Sequence, residues 1–203
     1  WQNNSMRCCA LIFLGLFASL SAATYVNTSG STQDILTTSG DLHTYSGANL
    51  APNVEITSIW LNFSDLSAAD LSGSRLIDLG IREANLTNAN FFNTNLTSST
   101  LSGANLSGAN LTKAILTRTE ISRTTNFANV TLDGVISGDI NYVSAEPLDT
   151  LPENYKLING YIIGPNVNLT GANLSGLNLT GVNFAGANLK DVNLSGVEVS
   201  DTT

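Results

Sequence analysis

The sequence predicts an all-β solenoid in which the chain turns a corner every five residues. Three observations carry this reading. Large apolar residues recur at every fifth position over a long stretch, and the position two before each is usually small. Charge is scarce: Asp, Glu, Lys and Arg make up 12% of 203 residues, against 42% hydrophobic, where a soluble globular domain carries about a quarter charged residues. Asn, Ser and Thr supply the missing polarity.

The chain divides from its start. Met6 is the only methionine and Trp1–Ser5 precede it, so the natural start is expected at Met6. Met6-Arg7, the apolar run Cys8–Leu20 and the small residues Ser21-Ala22-Ala23 form the secretory signal pattern; a buried N-terminal helix is the alternative. The run is too short to cross the roughly 30 Å hydrocarbon core as a helix. Residues 1–23 are therefore read as upstream residues plus a signal peptide, cleaved near Ala23. The mature chain is expected to be secreted, periplasmic or on the cell surface, with no stable membrane span. Both cysteines, Cys8 and Cys9, fall in the removed segment, which excludes disulfides and thiolate metal sites from the mature chain.

Solenoid ends expose unpaired strand edges and need caps. Residues 24–53 are the candidate cap. Within them, Ser31-Thr32-Gln33-Asp34 before Ile35-Leu36 has a capping-box pattern and predicts a short helix.

Residues 54–134 form the first repeat block. Ala84–Thr112 reads in fives as Ala-Asn-Leu-Thr-Asn, Ala-Asn-Phe-Phe-Asn and so on. The third position is large and apolar in all fourteen repeats from Ile56 to Ile121, and the residue two before it is Ala, Ser or Thr in eleven. At 42% apolar composition a run of that length has a chance of about five in a million. On an α-helix a period of five spirals around the axis, and on a straight strand it alternates faces. The chain must turn once per repeat, with the small residue and the central Leu on one inner face, Asn outward and the last two residues at the corner. The expected core includes Leu66, Leu71, Leu86, Phe91, Leu96, Leu101, Leu106 and Leu111. Phe127 and Leu132 begin a further side before the pattern dissolves.

Tandem Ala-Asn-Leu-x-x resembles the pentapeptide-repeat family. The resemblance covers Val54–Arg123 and Val167–Asp201. It implies four sides per coil and a right-handed quadrilateral β-helix interrupted by a hairpin-bearing insertion, as in secreted members with Leu-Pro…Asn-Gly-Tyr segments. Residues 135–166 are that insertion: Asn159-Gly160 between Tyr155–Ile158 and Tyr161–Ile163 is a strong hairpin signal. It either packs on the coil or links two coils. Residues 167–203 form the second block, in a different register, with Leu174, Leu179, Phe184 and Leu189 in its expected core. It stops directly after a repeat with no visible cap, which reads as truncation, or as an edge that a partner or a second copy covers end to end.

Four sides stack residues twenty apart. Asp65 then lies over Asn85 and Asn105, and Asp70 over Asn90 and Asn110, giving amide ladders rather than an acidic column. Glu55 falls over Arg75, and Asp78 stands two layers from Arg118. Trp60, Ile77, Phe92 and Ile115 point outward; either the cap or the insertion covers them, or they form a partner-binding patch in which Trp60 reaches Ile77.

Catalytic constellations are missing. His43 is the only histidine and reads as a surface or cap residue, and Gly103…Gly108 and Gly171…Gly176 lack the Lys-Ser/Thr of a phosphate loop. No cofactor or metal is implied. Asn-x-Ser/Thr matches such as Asn62, Asn85, Asn105 and Asn173 follow from the repeat itself. The net charge of −8 excludes a basic nucleic-acid footprint.

The expected function is a secreted, non-enzymatic structural or protein-interaction scaffold with an unknown protein or surface partner. The resemblance supplies an alternative, a DNA-mimicking binder of a type II topoisomerase. Charge weakens it, since Val54–Arg123 carries six acids against five bases and the mature chain's net charge lies mostly outside the coils. Ice or carbohydrate-surface binding is remoter, because the outward columns are not uniform in Thr.

Overall fold

In the computed structural model, described for residues 24–26, 32–34, 36–37 and 50–200, the chain winds as a four-sided coil with twenty residues per turn. The segment read as a signal peptide and His43 lie outside the described residues. The spacing of the backbone bridges shows the four sides. Asp65 bridges Asn85 and Asn85 bridges Asn105; Asp70, Asn90 and Asn110 stack likewise, all in parallel. Side A carries Leu61, Ile81, Leu101 and Ile121 inward. Side B carries Leu66, Leu86 and Leu106, side C Leu71, Phe91 and Leu111, and side D Leu76, Leu96 and Leu116. All of these are 0–1% exposed.

Each layer bonds the next through a fixed exchange. The central N–H donates to the outward residue of the following layer, as Leu66 N to Asn85 O at 2.8 Å, and the outward N–H donates back, as Asn85 N to Ser64 O at 2.8 Å. With a third bond from the corner residue, as Ala68 N to Thr87 O at 2.8 Å, three rungs per side satisfy the backbone that a turning chain would otherwise bury unpaired. Corners are closed by bonds such as Ala69 N to Leu66 O at 3.0 Å, with the residue before the small position at positive φ, for example Ala68 at 55° and Asn88 at 57°. This matches a type II turn, and it explains the Asn and Gly at the fifth position, since these residues tolerate left-handed φ.

At several small positions that are Ser or Thr rather than Ala, the hydroxyl reaches down one layer. Thr94 Oγ1 donates to Leu71 O at 2.7 Å and Ser99 Oγ to Leu76 O at 3.0 Å. Replacing Thr94 by valine keeps the shape and removes the bond, so a loss of about 1 kcal/mol is expected in urea unfolding.

The amide ladders form as the column arithmetic predicts. Asn85 Nδ2 donates to Asp65 Oδ1 at 3.0 Å, and Asn110 Nδ2 to Asn90 Oδ1 at 3.1 Å. The same Asn oxygens accept the N–H two residues on, as from Thr112 to Asn110 at 3.1 Å. Arg75 pairs with Glu55 at 2.8 Å. Asp78 does not pair with Arg118: it accepts from Ser58 at 2.8 Å, while Arg118 lies 3.4 Å from Ser98.

The cap departs from expectation at one point. Strand β1 (Thr24–Val26) pairs antiparallel with β2 (Thr32–Asp34), and β3 (Leu36–Thr37) pairs antiparallel with β5 (Ser64–Asp65). The predicted short helix is thus two strands. The capping-box signal is local, and here an open first coil edge offers strand pairing that a lone helical turn cannot match. The coil's own regular strands include β4 (Glu55–Thr57) and β6 (Arg75–Ile77), paired in parallel twenty residues apart.

The coil also runs further than its pattern. One extra residue is taken up at the corner after β7 (Glu120–Ser122), so that Asn105 bridges Asn126, Asn110 bridges Thr131 and Ile115 bridges Ile136, each at a spacing of 21. Phe127 and Leu132 continue sides B and C at 0% and 2% exposure. Strand β8 (Asn141–Val143) continues side A against β7. The segment assigned to the insertion therefore contributes two sides of coil. Ile136 in turn bridges Asn168, so the second block stacks directly on the first: the insertion packs on one continuous coil and does not link two.

Two expected core positions need correction. Leu189 is 38% exposed and Phe184 is only partly buried, whereas Leu174 and Leu179 are buried at 0% and 3%. Leu189 belongs to the last described turn, with Leu194 and Val199 at 41% and 70%. A central residue is sealed from both sides by its neighbours twenty residues away, and among the described residues this turn has a neighbour on one side only.

Candidate interaction surface

The most irregular part of the coil is where the insertion leaves and rejoins it. Strand β9 (Lys156–Ile158) and β10 (Tyr161–Ile163) form the predicted hairpin, in register Tyr161 to Ile158 and Ile163 to Lys156. Asn159 and Gly160 both take positive φ, 47° and 77°, the signature of a type I′ turn. The hairpin is anchored inside the coil. Ile162 and Ile163 are 0% exposed, and Ile162 N–H donates to Ser137 Oγ at 2.9 Å. Ser137 occupies the central position of side D, where Leu76, Leu96 and Leu116 stand in earlier layers. The break in the leucine series is the point at which the hairpin enters the core, a signal present in the sequence but readable only once the one-residue shift is known.

The rest of the insertion lies against the outside. Leu148, Leu151 and Tyr155 pack partly buried on the core, and Thr150 Oγ1 donates to Thr125 O at 2.9 Å. Tyr155 donates to Pro165 O at 3.0 Å; burial raises its pKa from the ordinary 10.0, with Asp133 adding to the rise. Tyr25 in the cap behaves alike, raised by burial and then by Asp65, against a lowering from its bond to Ser67 O.

Two hollows flank the hairpin. A cleft of about 670 Å³ lies between Asp139–Tyr142 on one side and Leu157, Asn159, Tyr161 and Asn173 on the other. A smaller, more apolar hollow of about 270 Å³ shares Tyr142 and Leu157 with it and adds Leu148 and Tyr155. Beside them Val143 is 56% exposed. Among the described residues no group of three or more His, Cys, Asp or Glu could hold a metal ion, and no helix is long and apolar enough to cross a membrane.

The four outward residues singled out from sequence are distributed over three sides. Ile77 and Ile115 lie on side D two layers apart, Phe92 on side C and Trp60 on side A. Trp60, 63% exposed, lies over Gly80: a Cβ at Gly80 would stand 2.2 Å from its ring. Phe92, 41% exposed, has the Lys113 ammonium 5.6 Å from its ring centre. Ile115 lines a shallow groove of about 410 Å³ with Ile136 and Val167.

No curated protein sequence matches the chain. Among solved structures, similarity extends to the pentapeptide-repeat protein Rfr23 of the cyanobacterium Cyanothece 51142 (17% identity over 75% of this chain and 84% of that one, TM-score 0.27). It extends also to QnrB1, a plasmid-mediated fluoroquinolone resistance protein (16%, 75% and 83%, 0.28). A third is HetL of Nostoc sp. strain PCC 7120, a pentapeptide-repeat protein involved in heterocyst differentiation regulation (20%, 75% and 90%, 0.16). Residues 61–103, 89–125 and 166–202 match the family of pentapeptide repeats, in eight copies, and with the twenty-residue bridges and the stacked Leu columns they place this chain in the pentapeptide-repeat family.

Proposed function

We propose that the chain is a secreted, non-enzymatic interaction scaffold whose insertion, rather than its flat coil sides, meets the partner. The observation that carries this reading is the hairpin held in the core by Ser137 and Ile162, with a cleft and an exposed Val143 beside it. Loops carried on a rigid scaffold are where binding concentrates. The coil sides present amide ladders whose hydrogen bonds are already used between layers, leaving little for a partner.

The test is site-specific photo-crosslinking in the producing organism. A benzoylphenylalanine placed at Val143 is expected to give discrete crosslinks, and one at Phe63, 50% exposed on the coil, is expected to give none. Recovered protein is expected to begin at Thr24. Crosslinks from Phe63 alone, or protein found only uncleaved in the cytoplasm, would sink the proposal. The topoisomerase alternative is addressed by a supercoiling assay at physiological salt, with no inhibition expected. The reason is charge: Arg75–Glu55 and Arg82–Glu120 pairs neutralise acids on the coil, and the outward columns of sides B and C are mostly Asn.

A further inference from the structure

Among the described residues the regular bridges stop at the insertion on three sides, above Asn126, Thr131 and Asn141, and side A is the one where a cleft opens at the break. On side D, Ile136 bridges Asn168, and Asn168 N donates to Val135 O at 2.9 Å. Five residues on, the corresponding pair on side A is Asn141 and Asn173. Asn141 is paired below, with Glu120 of β7, and Asn173 is paired above, with Asn193, but no bridge joins Asn141 to Asn173. The hairpin tip has taken one bond that would close the gap and the corner bond beside it. Ile140 N–H donates to Gly160 O at 3.1 Å, and Asn173 N–H, whose pattern partner is Ile140 O, donates to the Tyr161 hydroxyl at 3.3 Å. By the alternation of the regular layers, the Tyr142 N–H and the Asn173 carbonyl face each other across the gap, and neither bonds the other. The cleft of about 670 Å³ occupies this space.

We infer that this cleft takes an extended segment of a partner protein by strand addition, with side chains alternating between basic and apolar. The reading rests on the interaction-scaffold proposal and names the partner's chemistry. Main-chain groups supply the first argument. Two unpaired edges at one opening can hydrogen-bond both sides of an added strand, and strand addition draws its affinity from such bonds and its specificity from hollows for alternate side chains. The apolar hollow that shares Tyr142 and Leu157 with the cleft is placed to receive one set. Charge supplies the other. Residues 124–166 carry five acids, Asp133, Asp139, Glu146, Asp149 and Glu153, against the single base Lys156. Lys156 lines the apolar hollow, and its ammonium is bonded to Thr180 O at 3.1 Å. Asp139 lines the cleft itself.

The probe is a fluorescein-labelled octapeptide of alternating Lys and Val, titrated into the full chain by anisotropy. Micromolar binding is expected. N-methylation of alternate peptide amides is expected to weaken it about tenfold or more, since each blocked donor loses a rung. The Glu-Val counterpart is expected not to bind. Asn141 is exposed, so Asn141→Arg can fill and charge the cleft without touching the core, and it is expected to abolish binding while leaving the melting curve unchanged. Hydrogen exchange at the Tyr142 amide is expected to slow in the complex. Equal binding of the N-methylated or the acidic peptide, or competition by a neutral oligosaccharide with no change at Tyr142, would overturn the inference. No peptide binding together with retained Val143 crosslinks would overturn this inference alone; loss of both would remove the broader proposal as well.

Discussion

Replacing Gly160 by alanine is expected to destabilise the protein by about 3 kcal/mol or more, whereas the same change at Gly171 should cost only about 1 kcal/mol. Both glycines have nearly the same positive φ, 77° and 71°, so both replacements carry the penalty of an L-residue in left-handed backbone. They differ in surroundings. A Cβ at Gly171 meets nothing within 4 Å, while at Gly160 it would stand 2.9 Å from Ile140 N and 3.2 Å from the Cα and N of Asp139. Those are backbone atoms, fixed by the bond from Ile140 N to Gly160 O, and they cannot swing aside as a side-chain end can. Subtracting the Gly171 result from the Gly160 result isolates the price of prising the hairpin tip off the coil. The measurement is the urea midpoint of each variant with the slope checked for constancy. Equal losses at the two sites would show that the tip does not seat on Ile140 as described.

Ser137→Leu restores the residue type of the column above and below, yet it is expected to cost about 3 kcal/mol. A repeat consensus favours leucine there. The space, however, is already filled by Ile162 and Ile163, both fully buried, and the hydroxyl is the acceptor for the Ile162 N–H. Leucine both overpacks the site and leaves a buried donor unpaired. Ser137→Ala separates the two effects, keeping the space and removing the acceptor, at an expected cost of about 1–2 kcal/mol. In both variants hydrogen exchange should rise first in residues 156–163, because these depend on the anchor while the layers before residue 120 do not. A stabilised Ser137→Leu protein would mean that the hairpin leaves the core easily.

The repeats were legible because each obeys a rule confined to a few residues. The period of five, the small residue two before each Leu and the Asn ladder follow from one chain segment stacking on a near copy of itself, and the twenty-residue columns place Asn85 over Asp65 and Arg75 over Glu55. The hairpin was legible for the same reason, since Asn159-Gly160 specifies its turn locally. What was missed is non-local. The extra residue after Ser122 hid the continuation through Phe127 and Leu132. The Arg82–Glu120 pair breaks the column arithmetic because it reaches diagonally across layers. Leu189 obeys the repeat and is still exposed, because burial of a central residue depends on the next layer and not on its own pentapeptide.

The sequence alone determined the all-β solenoid, its inward and outward residues and the presence of a hairpin. Only the tertiary structure decided where that hairpin goes. Ser137 reads as a faulty repeat until Ile162 is seen bonded to it, and Asn141 and Asn173 read as ordinary ladder members until Gly160 and Tyr161 are found holding their layers' bonds. The physical reason is that a repeat encodes its contacts with a neighbour at fixed spacing, whereas the insertion's contacts, from Gly160 back to Ile140 and from Ile162 to Ser137, join residues at spacings that no period specifies.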